Sequence, residues 1–218
     1  GDSDGNPRDF EAIQQDIRRA VDILIQENPD VQRVVLWGLC DAASANAFYA
    51  VDDERIAGQI ALNPWVRTLE GEAQAFIKHY YRQRLFSPAL WRKIIRLEFD
   101  LVGSLRDFAR KLGRSRGTER GGDVVRDARP LPERVRDKQM RFPGRTLLII
   151  SGNDLTAKEY EDRLAEHAAW TAWAGSEAVS LQRLDEADHT FSRAVWRDQV
   201  SDWCIEWLVG LAEERAGR

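Results

Sequence analysis

One short stretch limits the folds open to this chain more than any other: Val34-Val35-Leu36-Trp37-Gly38-Leu39-Cys40-Asp41-Ala42-Ala43-Ser44-Ala45. Apolar residues lead into a small-x-Cys-x-small turn, and an alanine-rich helix start follows. The pattern reads as a nucleophile elbow with cysteine in place of serine. In an elbow the nucleophile sits on a tight, strained strand-to-helix turn, so the residues two before and two after it must be small. Gly38 and Ala42 meet that requirement, although alanine stands where the usual pattern has a second glycine. Gln32 to Trp37 reads as a buried strand, and Ala43, Ala45 and Ala47 let the following helix pack closely on the sheet. The plainer use of such a cysteine is as a small buried hydrophobe at a strand end.

An elbow nucleophile needs an acid and a base, and in this kind of fold they follow it in that order. The run Arg145-Thr146-Leu147-Leu148-Ile149-Ile150 is apolar and ends in Ser151-Gly152-Asn153-Asp154. Asp154, in the turn past that strand, is the candidate acid. Val179 to Leu184 alternates apolar residues and is followed by Asp185-Glu186-Ala187-Asp188-His189-Thr190-Phe191, which makes His189 the candidate base. The other two histidines, His79 and His167, lie in helical sequence and read as surface or packing residues. In the resulting chemistry His189 draws the proton from Cys40, Asp154 holds the imidazole in the right tautomer, and the backbone N–H of Asp41 supplies one oxyanion donor. A thiol near a helix N-terminus is expected to favour its thiolate form.

The residues now on the page resemble a known family. Trp37 to Ala45, Leu62-Asn63-Pro64-Trp65-Val66-Arg67-Thr68, Lys78-His79-Tyr80-Tyr81 and Ala187-Asp188-His189-Thr190-Phe191-Ser192 are similar to the α/β-hydrolase superfamily. Within it they resemble the exosortase A system-associated hydrolases of bacteria, type 1. The resemblance covers nearly the whole chain. It implies an α/β-hydrolase fold, a mainly parallel sheet flanked by helices with a helical cap insertion. It also implies a hydrolase encoded beside exopolysaccharide and protein-sorting genes, with Cys40, Asp154 and His189 at the catalytic positions.

On this reading residues 1–68 are the first part of the core with the elbow, 69–142 the helical cap, and 143–218 the C-terminal part of the core. Asp9 is placed to cap a helix from Phe10 to about Glu27, and Arg55 to Leu62 is the next strand. Asn63 and Pro64 end that strand at the rim where ligands bind in open α/β sheets, so Asn63 serves either the turn or the site. Trp65, Tyr80 and Tyr81 are further pocket candidates, although aromatic stripes at helical spacing also serve as plain core. The strands that precede the elbow in this fold, and the loop with the second oxyanion donor, are expected to lie outside this sequence. The expectation is that another polypeptide, a second copy of the chain or residues outside this sequence supply them.

Composition fits one globular domain with an insertion: 218 residues, 43% hydrophobic, 31% charged, net charge −4. No run approaches the ~20 apolar residues of a membrane span, and no signal peptide is visible. Two cysteines, Cys40 and Cys204, suit a reducing, cytoplasmic compartment better than a disulfide framework. Residues 106–145 hold thirteen Lys or Arg against six Asp or Glu, a net of +7. Such a cap suits a phosphorylated or acidic carrier of the acyl substrate, or is simply solvated. Acids interspersed among these arginines argue against nucleic acid. No metal-ligand spacing and no cofactor fingerprint occurs. Two function classes remain: a cysteine-dependent acyl hydrolase or acyltransferase, favoured by a depressed thiol pKa, and a catalytically idle hydrolase fold used as an assembly partner, favoured by an inert thiol.

Overall fold

The computed structural model describes residues 13–67, 127 and 129–216. Apart from residue 127, they belong to one compact unit, Gly1–Ala75 with Arg129–Arg218. Four strands, β1 (Val34–Leu39), β2 (Ile56–Leu62), β3 (Arg145–Ser151) and β4 (Val179–Leu184), pair in parallel in that order. Every residue of β2 is buried, as is all of β3 after Arg145. This is why both read as continuous apolar runs rather than alternating ones: a parallel sheet is covered on both faces. Leu147, Leu148, Ile149 and Ile150 are each almost wholly buried, and such side chains contribute about 1.5–3 kcal/mol apiece.

Five helices share one side of the sheet. Val21 of α1 (Gln14–Glu27) and Tyr49 and Ala50 of α2 (Asp41–Ala50) pack with Val34, Leu36 and Ile56. Ala43 of α2, Val135 of α3 (Leu131–Arg141), Ala157 and Tyr160 of α4 (Leu155–Ala165) and Trp170 of α5 (Ala168–Ala174) pack with Ala61, Leu148 and Ile150. On the other face α6 (Ala194–Ala216) sets Val200, with Trp196, Trp203 and Trp207 beside it, against Ile60, Leu62, Leu147 and Ile149. Cys204 of α6 is half-buried there. The helix expected from residue 10 starts at Gln14 with Ile13 at its N-cap, while residues 10–12 and the expected cap Asp9 lie outside the described residues. The cap expected over 69–142 lies outside them too, up to 126, and the residues beyond form α3.

Register fixes where function can sit. Leu39 pairs with Leu62, Leu62 with Ile149, and Ser151 with Leu184. Cys40, Asn63 and the turns after β3 and β4 therefore leave the sheet along one carboxyl-end rim, where ligands bind in open α/β sheets. Among the described residues β1 pairs on one side only, and its Trp37 is 56% exposed. Among the described residues β1 is thus an edge strand, with Val34 and Leu36 buried as expected and Trp37 exposed.

A half-buried ion pair ties the helical layer to the sheet below that rim. Asp53, 8% exposed, accepts from Arg55 Nη2 at 2.6 Å, from the Arg55 backbone N–H at 3.0 Å and from the Tyr49 hydroxyl. Arg55 Nη1 also reaches Asp22 of α1 at 2.7 Å. The guanidinium holds the Asp53 carboxyl far below its ordinary value of 3.8. A depressed folded pKa gives stability that is present above the unfolded value and lost as pH falls through the folded one. Asp53→Asn is therefore expected to cost about 2 kcal/mol at neutral pH, a difference that narrows with acidification. Urea titrations of both proteins from neutral to acid pH check it, and a constant gap would contradict the assignment.

Candidate active site

Cys40 stands between β1 and α2 with φ 62° and ψ −121°. This left-handed strain on a non-glycine residue costs about 1–3 kcal/mol and persists only where its surroundings impose it. Three hydrogen bonds do so here. The Cys40 N–H donates to Leu62 O at 2.8 Å, and its carbonyl accepts from Trp65 N–H at 3.1 Å and Ser44 N–H at 3.3 Å. Gly38 has no alternative: a Cβ there would stand 2.7 Å from Ala42 C, Ala43 N and Asn46 Nδ2. Ala42, by contrast, is exposed, so an alanine fits where a second glycine was expected.

Asp154 and His189 meet. Asp154 is the N-cap of α4, its side chain accepting from Thr156 N–H at 3.2 Å and Ala157 N–H at 2.9 Å. His189 Nδ1 lies 2.8 Å from Asp154 Oδ2. In the neutral ring this contact puts the proton on Nδ1 and leaves Nε2 as the acceptor. The loops that carry the two residues are laced together, Gly152 N–H to Leu184 O at 2.7 Å and Asn153 N–H to Ala187 O at 3.0 Å. Asp188 folds the loop that carries His189 by accepting from Thr190 N–H at 3.2 Å, Ser192 N–H at 2.9 Å and the Ser192 hydroxyl.

Asn63 is fully buried with φ 42°. Its Nδ2 donates to His189 O at 2.9 Å and its Oδ1 accepts from Ser151 N–H at 2.8 Å. Among the described residues, the three non-glycine positions with positive φ are Cys40, Asn63 and Phe191. All three lie in the segments just named, the concentration expected of strain held at a functional site.

The thiol differs from the sequence expectation. Burial pushes the Cys40 pKa above its ordinary value of 9.0, and the carboxylates of Asp41 and Asp154 push the same way. They outweigh the Asp41 N–H, which donates toward the sulfur, and the Arg67 guanidinium. Favouring of the thiolate by the helix N-terminus is thus overridden by desolvation and nearby negative charge. Alkylation of Cys40 by iodoacetamide, followed by peptide mapping, is expected to accelerate with pH and still be rising at pH 9.0, because the thiolate is the nucleophile. A plateau well below that pH would show an ion pair already formed.

Trp65 is half-buried, with the Arg67 guanidinium 5.0 Å from its ring centroid. Arg67 Nε pairs with the buried carboxylate of Glu159 at 3.2 Å, linking the loop after β2 to the acid's helix. Arg67 enters the sequence reading only within the stretch from Leu62 to Thr68, with no role of its own, and Glu159 does not enter it. Their partnership spans 92 residues, and no local pattern signals it. Tyr80 and Tyr81 lie outside the described residues. Ser44, the nearest hydroxyl to the elbow in sequence, is buried and donates to Trp65 O at 2.6 Å. No hydrogen bond among those described joins Cys40 to His189. Among the described residues no group of His, Cys, Asp and Glu has the arrangement of a metal site, and no helix is long and apolar enough to cross a membrane.

No protein-family model matches the sequence, and no curated protein matches it significantly. Solved structures do. The chain is similar to an esterase of Pyrococcus furiosus (TM-score 0.55, 15% identity, 95% of this chain and 66% of that one). It is similar to a fungal esterase of Rhizomucor miehei (TM-score 0.53, 14% identity, 95% and 62%). An α/β hydrolase of a Penicillium species gives a TM-score of 0.52 at 17% identity, over 98% of this chain and 76% of that one. The chain spans less than two thirds of the length of the first two. The parallel four-stranded sheet flanked by helices agrees with these likenesses: the chain has the α/β-hydrolase fold.

Proposed function

We propose that this chain is the nucleophile-bearing part of a cysteine-dependent acyl hydrolase acting on esters or thioesters. The observation that carries the reading is the strained Cys40 elbow on the same sheet rim as the Asp154–His189 pair. Because the thiol is held protonated, His189 Nε2 acts as a general base during attack. Sulfur bonds to the acyl carbon, and its proton passes to the imidazole. Asp154 stabilises the imidazolium, and the Asp41 N–H receives the developing oxyanion. Collapse breaks the bond to the leaving oxygen or sulfur, which takes the proton from His189. Water, activated by the same imidazole, then cleaves the thioester to a carboxylic acid and the free thiol. An alcohol in place of water makes the same cycle an acyl transfer.

The open edge of β1 extends the proposal. Further strands, from another polypeptide, a second copy or another segment, pair there and bring the second oxyanion donor. Among the described residues no strand pairs with the outer side of β1, beside an exposed Trp37, which supports this, since long apolar edges are covered in stable proteins. The family resemblance extends it to a carrier-linked acyl substrate in a bacterial exopolysaccharide and exosortase setting. A second reading, a catalytically idle assembly protein, is favoured by the raised thiol pKa.

Intact-mass and peptide mapping after exposure to a panel of activated acyl esters and thioesters tests the two. Acylation at Cys40 that decays with time and is absent in Cys40→Ala is expected of the hydrolase. Labelling of Cys40 no faster than Cys204 would leave the assembly reading.

A further inference from the structure

We propose that Asn63 is a positioning residue whose one buried amide sets the spacing between the loop that carries the acid and the loop that carries the base. The kinetic part of this inference rests on the hydrolase reading; the geometric part does not. Asn63 leaves β2 beside the end of β3, because Leu62 pairs with Ile149 and the Asn63 N–H donates to Ile149 O at 3.0 Å. From there its side chain reaches in two directions. Oδ1 takes the Ser151 N–H, three residues before Asp154, and Nδ2 gives to the carbonyl of His189 itself. A turn needs neither contact: the second spans 126 residues of sequence, and Pro64 already ends the strand.

The residue type follows from the task. One donor and one acceptor are needed at one buried point, on a backbone with φ 42°. Asparagine has both groups and tolerates positive φ better than most side chains. Aspartate keeps the backbone tolerance and the acceptor but has no donor when ionised. Serine is too short to bridge both loops, and glutamine carries an extra methylene into a site with no exposed surface. The Asp154–His189 contact of 2.8 Å thus depends on a group that touches neither ring nor carboxylate. A displacement of the base by even ~1 Å costs on the order of 10²-fold in rate.

The test uses the full chain, with Asn63→Asp, Asn63→Ala and Asn63→Gly. The first readout is the proton NMR signal of His189 Nδ1–H bonded to Asp154, assigned by its loss in Asp154→Ala. The second is kcat and KM on an ester found to acylate Cys40. In Asn63→Asp, whose bond to Ser151 survives, the signal is expected to broaden or vanish while thermal unfolding stays cooperative. Its kcat falls about 10²-fold with KM changed less than about threefold. Asn63→Ala behaves alike, and Asn63→Gly, freed of backbone strain, separates loss of the amide from loss of fold. A folded variant that keeps the imidazole signal overturns the proposal, as does failure of all three to fold, which would make the role purely structural. If the wild-type protein acylates with no ester, the hydrolase reading falls, and the imidazole signal still decides the positioning role.

Discussion

His189→Ala lowers the rate constant for acylation of Cys40 by about 10⁴-fold or more near neutral pH, the scale seen when the base of a nucleophile–base unit is removed. Many cysteine nucleophiles are poised as thiolates and tolerate loss of a base better than a serine does. Here burial and the carboxylates of Asp41 and Asp154 keep the proton on sulfur, so attack needs an acceptor at the moment of bond formation. The same reasoning sets the pH dependence. Above the raised thiol pKa solvent hydroxide does the work of the histidine, so the gap between wild type and His189→Ala narrows steadily on the alkaline side. Acylation rates of both proteins across neutral and alkaline pH, read by intact mass, check this. A gap that stays constant through that range would mean that His189 does something other than take the proton.

What could be read in advance divides along the range of the forces involved. The elbow was legible because its constraint is local: Gly38 must lack a side chain where α2 turns back on it, and that demand is written within five residues. Asp154 and His189 were legible because a carboxylate and an imidazole just past apolar runs fall at one rim once the strands are parallel and in order. Asn63 was visible only as a turn or a pocket residue, since its amide works across partners far away in the chain. The thiol was misjudged for the same reason. Its helix N-terminus is local, whereas Asp154 and the burial that outweigh it arrive only with the tertiary fold. Val34 and Leu36 of β1 are buried as the apolar run suggests, whereas Trp37 is 56% exposed, and β1 has one neighbour among the described residues. Hydrophobic pattern alone does not distinguish a central strand from an edge strand.

Gly152→Ala destabilises the protein by about 2–4 kcal/mol and uncouples the Asp154–His189 pair. A Cβ built on Gly152 stands 2.3 Å from Asp185 O, 2.5 Å from Asp185 Cα and 2.7 Å from Asp185 C. These are backbone atoms, so no side chain can rotate away. The two loops must part, and what holds them together is close by: Gly152 N–H to Leu184 O and Asn153 N–H to Ala187 O on one side, the Asn63 amide on the other. Asp154 lies two residues beyond the glycine and His189 four beyond Asp185, so a shift wide enough for a methyl group is felt by both. Gly175→Ala is the matched control. Its Cβ would meet nothing nearer than Thr171 O at 3.7 Å, an ordinary contact, and its effect is expected within about 0.5 kcal/mol. Urea unfolding of the two variants, with the His189 imidazole proton as local reporter, gives the comparison. Equal stability and an unchanged imidazole signal in Gly152→Ala would mean that the acid and base loops are not pressed together in solution. The geometry that makes them a pair would then have to come from ligand binding rather than from the fold.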